Sequence, residues 1–289
     1  MEYECFDVEV QDHVAHVRFS RPEKRNSMIL AFWSELPALI KHLDHDGQVR
    51  AIVLSSTGPH FSSGMDLSVF QAPVADHETS IGSSAQRAAK FRDTILRLQG
   101  SFNCLEDARV PVLVAVQGGC IGAGVDLATA CDMRYATSDA FFTIQETNIA
   151  MTADVGTFPR LCKLMPDGLV RELAYTGRPL TASEAKSCGL VNQVFESHEQ
   201  MLEAVMGLAH TIASKAPMAV HGCKKMILRA RDHTVADTLD YVALWNASFL
   251  QRDEMMEAMM ATAEKRAAKF SSLAERLDSV SDGGAIEFP

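Results

Sequence analysis

Two segments constrain the fold more than anything else in the chain. In "RAIVLSSTGPHFSSGMDL" (50–67) and "PVLVAVQGGCIGAGVDLATACD" (111–132), an apolar run of strand length enters a glycine-bearing turn and then a short helix. Neither run alternates with polar residues, which is the pattern of a strand covered on both faces. Such strands belong in an α/β fold, where helices cross over between parallel neighbours. The unit of strand, glycine turn, helix and strand occurs twice, so repetition is built into the chain.

The remaining segments extend this plan. "FDVEV" and "HVAHVRFS" alternate on either side of "QD", predicting a β-hairpin. His13 and His16 then fall on a strand at odd spacing and face opposite ways, which argues against a shared metal ion. Ile29, Phe32, Trp33, Leu36, Leu39, Ile40 and Leu43 repeat at helical spacing, with Ser27 as N-cap and Pro37 as a kink. Residues from Gln71 to about Ser84 read as a mobile loop ahead of a helix containing "FRDTILRLQGSF", while "DMRYATSD" and "AFFTIQE" read as strands. Composition shifts near residue 197. Beyond it the signals are helical, including a long stretch from Val235 to Leu277 and a methionine stripe (Met255, Met256, Met259, Met260) suited to packing or a subunit interface. The expected domains are 1–197 and a helical 198–289, with a disordered tail "SVSDGGAIEFP".

Composition excludes several function classes. With 289 residues and 47% hydrophobic content, the chain can bury a large core, and a net charge of -10 argues against general nucleic-acid or membrane-surface binding. Seven cysteines without CxxC spacing read as reduced thiols in a reducing compartment. No apolar run approaches spanning length, the N-terminus is unlike a presequence and the C-terminus lacks an SKL-type address, so the chain reads as soluble with no targeting signal.

Chemistry concentrates in the glycine loops and in "FTIQETNIAMTADVG" (142–156). The spacing of Gly118, Gly119, Gly122 and Gly124 fits neither GxGxxG nor GxxxxGK[ST], and GxSxG is absent. What remains is a backbone oxyanion hole or a tight packing turn. Glu146 and Asp154 stand among small and apolar residues with no lysine or arginine inside the stretch. Such surroundings raise a carboxyl pKa toward neutrality, where it serves as general acid or base. Eight residues reach up to roughly 27 Å when extended, so convergence of the two carboxylates requires the segment to fold back. Asp126 lies near a helix start, where capping or a buried hydrogen bond is the structural alternative.

"FSSGMDL", "GGCIGAGVDLATACDMRYA", "FTIQE" and "LTASEAKSCGLVNQV", in this order, resemble the crotonase (enoyl-CoA hydratase/isomerase) superfamily. The resemblance runs from about Val8 to Ala268. It implies a crotonase-like spiral of repeated ββα units, a helical C-terminal trimerisation region, a homotrimer or homohexamer, and an acyl-CoA thioester as ligand, with no cofactor and no metal. The backbone N–H groups of Ser63 and Ala123 would form the oxyanion hole, and Ser63, Gly64, Met65, Asp66, Leu67 and Ala123 would line the substrate. Lys24 and Arg25, in "RPEKRNSM", would meet the CoA phosphates; a solvated basic turn is the alternative.

Within the superfamily, hydratases place glutamates at the positions of Asp126 and Glu146. The trio Asp126, Glu146 and Asp154 instead resembles the dienoyl-CoA isomerase branch. That resemblance implies that Glu146 takes a proton from C2 of a 3,5-dienoyl-CoA, that the oxyanion hole holds the dienolate, that Asp154 returns a proton at C6 to give the 2,4-diene, and that Asp126 tunes the pair. The expected setting is fatty-acid β-oxidation in the mitochondrial matrix or peroxisome. An enoyl-CoA hydratase using Asp126, Glu146 and water, or a non-catalytic acyl-CoA-binding protein, remains the alternative reading.

Overall fold

The computed structural model describes residues 2–71 and 83–276. Most of the expected loop from Gln71 to Ser84, and the tail beyond residue 276, lie outside the described residues. In chain order the elements are β1 (Phe6–Gln11), β2 (Val14–Phe19), α1 (Leu30–Leu43), β3 (Ala51–Ser56), α2 (Leu67–Gln71), α3 (Ser84–Asp107), β4 (Val112–Val116), β5 (Gly119–Ile121) and α4 (Ala123–Ala130). There follow β6 (Met133–Thr137), β7 (Phe141–Thr143), α5 (Thr157–Leu161), α6 (Asp167–Thr176), β8 (Leu180–Thr181), α7 (Ala182–Ser187) and β9 (Gln193–Phe195). Four helices complete the chain: α8 (His198–Ala213), α9 (Pro217–Ala230), α10 (Val235–Phe249) and α11 (Arg252–Ala263).

The six-stranded sheet has the order β1-β2-β3-β4-β6-β9, antiparallel at the β1–β2 hairpin and parallel thereafter. A second layer contains β5-β7-β8, extended by single bridges pairing Ser62 with Cys120 and Met28 with Met65. Each turn of the spiral therefore supplies a strand to the large sheet, then a short strand or bridge residue to the small layer, then a helix. The glycine turns after β3 and β4 are the corners at which the chain passes from one layer to the other. This is the ββα repetition that the sequence led us to expect.

Strands β3 and β4 are buried along their whole length. Ile52, Leu54, Val112 and Val114 point into the main core, while Val53, Leu113 and Ala115 meet Met201, Val205, Ala209 and Ala213 of α8. Burying Met201 and Val205 contributes about 1.5–3 kcal/mol each. Helix α8 thus packs as the second cover of the sheet, although the composition of the chain shifts just before it.

Three local expectations are corrected. His13 sits with Asp12 in the two-residue hairpin turn, both at positive φ, and not on a strand. Ser27 does not cap α1, which begins at Leu30 without a side-chain cap; its hydroxyl donates instead to Asp66 at 2.5 Å. The helix expected from Val235 to Leu277 breaks at Leu250 and Gln251, both extended, and ends at Ala263. After that the chain runs back along the core. Arg50 donates to the Phe270 carbonyl at 2.9 Å, Arg276 pairs with Asp44 at 2.7 Å, and Leu273 is buried. These ties come from core side chains distant in sequence, so periodicity within the segment could not reveal them.

Pro37 does lie inside α1, and the carbonyl that its missing N–H leaves unbonded, that of Trp33, accepts the Ser101 hydroxyl of α3 at 2.7 Å. Helix α3 contains the expected "FRDTILRLQGSF" and starts at Ser84, where Ser83 and Gln86 form a reciprocal capping box.

Candidate active site

The Ser62–Cys120 bridge fixes how the two glycine loops meet. Ser62 N–H donates to the Gly119 carbonyl at 3.1 Å and Ile121 N–H to the Ser62 carbonyl at 3.0 Å. Further along each loop, the chain turns so that Gly64 lies against Ile121 and Ala123. A β-carbon on Gly64 would fall 2.7 Å from the Ile121 carbonyl oxygen and 3.3 Å from the Ala123 nitrogen, and φ at Gly64 is +84°. Only glycine meets both conditions.

The amides exposed by this contact differ from those expected. Ser63 N–H is already committed to the Arg25 carbonyl at 3.0 Å, so it is not a free oxyanion donor. Around it, Gly64 N–H bonds the Ser62 hydroxyl at 3.1 Å and Asp66 N–H bonds the Met28 carbonyl at 3.0 Å. Met65 N–H, between them, has no hydrogen-bond partner among the described residues. Ala123 opens α4, where the first amides of a helix have no internal acceptor. The two amides left open where the loops meet are therefore those of Met65 and Ala123, with the α4 dipole behind them. The sequence reading expected the amides of Ser63 and Ala123 and placed Met65 only among the residues lining the substrate. The signal was Gly64, a glycine demanded by close approach, which places the free amide after it.

Of the other expected substrate residues, Asp66 has structural work. It accepts the Ser27 hydroxyl at 2.5 Å, the Ser68 hydroxyl at 2.6 Å and the Ser68 amide at 2.9 Å. The Ser27 and Ser68 hydroxyls hold its pKa down to about 2. Asp66 thereby ties the "RPEKRNS" segment to the oxyanion loop. Lys24 and Arg25 are exposed at the surface of that segment, and Leu67 is 69% exposed beside it.

The three carboxylates approach α4 from different elements. Asp126 lies in the first turn of α4, 1% exposed; its Oδ1 accepts the Thr157 hydroxyl at 2.6 Å, and its Oδ2 is buried without a partner. Burial raises its pKa to about 6, opposed by the Thr157 bond. Glu146 opens a 3₁₀ turn (Glu146–Ile149) directly after β7. Its Oε1 lies 3.4 Å from where a β-carbon on Gly122 would sit, next to Ala123, and its Oε2 is buried without a partner. Burial, then the charge of Asp126 and that of Asp154, raise its pKa to about 7. Asp154 precedes α5 and is half-buried; burial raises its pKa, and its charge raises that of Asp126 in turn. The segment after β7 does fold back, and it brings the trio within electrostatic reach of one another.

Such a set of buried, mutually repelling carboxyls beside two free amides can stabilise an enolate and move protons near neutral pH. Residues 9–273 match the enoyl-CoA hydratase/isomerase family. The protein belongs to that family, and its fold is the crotonase-like spiral. Human mitochondrial Δ(3,5)-Δ(2,4)-dienoyl-CoA isomerase is 43% identical over 90% of this chain and 79% of its own. The peroxisomal Δ(3,5)-Δ(2,4)-dienoyl-CoA isomerase of Arabidopsis thaliana is 39% identical over 90% and 93%. Solved structures of an enoyl-CoA hydratase from Bacillus anthracis and an enoyl-CoA hydratase/isomerase from Marinobacter aquaeolei superpose with TM-scores of 0.82 and 0.83. Both are 26% identical to this chain; they cover 92% of it and 99% and 98% of their own chains.

Proposed function

We propose that the protein converts 3,5-dienoyl-CoA to 2,4-dienoyl-CoA. Glu146 removes a proton from C2, and the negative charge spreads from the thioester oxygen to C6. The Met65 and Ala123 amides hold that oxygen, and Asp154 delivers a proton at C6, shifting both double bonds by one carbon. Asp126 keeps Glu146 basic enough to act near pH 7 through the repulsion between their charges. No net hydrogen is gained or lost, and the scheme uses no cofactor because CoA arrives with the substrate. The observation that carries this reading is the third carboxylate. Addition of water to a single double bond needs two acid/base groups, whereas protons lost and gained four carbons apart need one at each end, with Asp126 as the modulator.

Lys24 and Arg25 are proposed to meet the CoA phosphates, since the Arg25 carbonyl is bonded to the oxyanion loop itself. The helices after residue 197 are proposed to form the subunit contacts of a trimer or hexamer. Helix α10 has no fully buried side chain, and Met255, Met256, Met259 and Met260 are all exposed. The compartment is proposed to be mitochondrial or peroxisomal, as the names of the human and Arabidopsis relatives state for those proteins. Among the described residues no helix is long and apolar enough to cross a membrane.

The test is direct. Purified protein is incubated separately with 3,5-dienoyl-CoA and 2-enoyl-CoA, and the conjugated product is followed by absorbance. Hydration of the enoyl-CoA with no dienoyl conversion would reject the isomerase in favour of the hydratase reading, which the Asp126 and Glu146 pair alone would serve.

A further inference from the structure

Asp154 is held by contacts that the chemistry above does not use. Gln99, Asn103 and Glu106 are spaced to share one face of α3, and all three reach the segment 154–160. Gln99 donates its amide to the Asp154 carbonyl at 2.7 Å. Arg160, 5% exposed, donates to Asn103 at 2.7 Å and to Glu106 at 2.7 and 2.9 Å. The second oxygen of Glu106 accepts Arg231, just past the end of α9, at 2.7 Å. Between the two anchors the chain turns at Gly156, where φ is +137° and a β-carbon would fall 1.9 Å from Arg160 Nη1. The guanidinium therefore lies directly beneath the turn that joins Asp154 to Thr157. A buried arginine fully paired on one side is costly to displace, so this turn has little freedom to relax. Gln99, Asn103, Glu106, Asp154 and Arg160 also line a single cleft of about 740 Å³.

We propose that the α3 face of Gln99, Asn103 and Glu106, acting partly through Arg160, is a positioning device that aims Asp154 at the distal end of the substrate. The inference rests on the dienoyl reading. Glu146 stands outside the device: it follows β7 beside the turn at Gly122, and the bonds of Arg160 go to Asn103 and Glu106, so the placement of Glu146 for removal of the C2 proton does not depend on them. The two proton transfers are thus held by separate parts of the fold and can be uncoupled.

The experiment follows both transfers at once in deuterated water, with 3,5-dienoyl-CoA as the probe. NMR of recovered substrate reads exchange at C2, and absorbance reads conversion to the 2,4-diene. Misplacing a catalytic group by about 1 Å costs up to ~100-fold. In Gln99→Ala and Arg160→Lys, conversion is expected to fall about 10- to 100-fold while C2 exchange persists, so the ratio of exchange to conversion rises by a similar factor. Gln99→Ala removes one part-buried bond and keeps the test available if Arg160→Lys does not fold. A merely structural role would lower both rates together. An unchanged ratio in a folded variant overturns the positioning role and leaves the isomerase reading intact. A wild-type protein that fails to convert the diene overturns the isomerase reading and this inference with it.

Discussion

Thr157 donates its hydroxyl proton to Oδ1 of Asp126 across 2.6 Å, while Oδ2 of the same carboxylate is buried and unbonded. One oxygen is satisfied by the loop that carries Asp154, and the other is left to repel Glu146. Thr157→Val removes the only side-chain hydrogen bond that Asp126 accepts among the described residues, so the pKa of Asp126 rises further above about 6. The loss of a hydrogen bond to a charged group costs roughly 1.5–3 kcal/mol. The cost applies where Asp126 is ionised, so the drop in Tm relative to wild type is expected to be larger at pH 8 than at pH 5.

The rate should carry the signature of Glu146. A base with a pKa of about 7 must be deprotonated to act, so kcat/KM is expected to fall about tenfold per pH unit below that value. Asp126→Asn removes a negative charge that raises Glu146, and the acidic limb of the profile is expected to move to lower pH. A limb that stays in place would show that the two carboxyls do not interact.

Stability has a related dependence. Glu146 is raised from 4.5 to about 7 in the folded protein, so between those values the folded state binds more protons than the unfolded one. Its contribution to stability is complete below pH 4.5 and is lost as pH rises through 7. Glu146→Gln carries no such titration. The difference in Tm between variant and wild type is expected to move in the variant's favour from pH 4.5 to pH 8, and a constant difference would count against the shift. The same variant should lose about 10²- to 10⁴-fold in turnover, the usual contribution of a general base.

The oxyanion pair can be tested one backbone atom at a time. Replacing the amide N–H of Met65 by an ester oxygen is expected to lower kcat by about 10²- to 10³-fold, the effect of removing one such donor. The same change at Ser63 breaks its bond to Arg25 and is expected to appear chiefly in stability. If the Ser63 ester lowered kcat more than the Met65 ester, the assignment would have to be reversed.

Much of this fold was legible because buried strands and glycine turns carry strong local signals. The runs at 51–56 and 112–116 read as covered strands between turn signals, and the hairpin and α1 announced themselves by period. Glu146 and Asp154 were legible as charges without local counter-charges, and the motif resemblance supplied Asp126 and the convergence of the three. What escaped was set by contacts between distant segments. Ser63 and Met65 sit two residues apart in one loop, and only the pairing of that loop with residues 25–28 decides which amide is free. Thr157 and Arg160 carry no motif; their roles come from Asp126 and from α3, 31 and 54 residues away. The break at Leu250 and the returning chain near Leu273 likewise depend on partners in the core.

The bridge between Ser62 and Cys120 makes the proposed cradle for the thioester a product of strand register. Both groups proposed to grip the reacting oxygen are main chain, so exchanging the acids around it would leave the grip as it was. A scaffold arranged in this way can be retooled for a new reaction by substitutions at 126, 146 or 154 alone, without rebuilding the part that tames the charge.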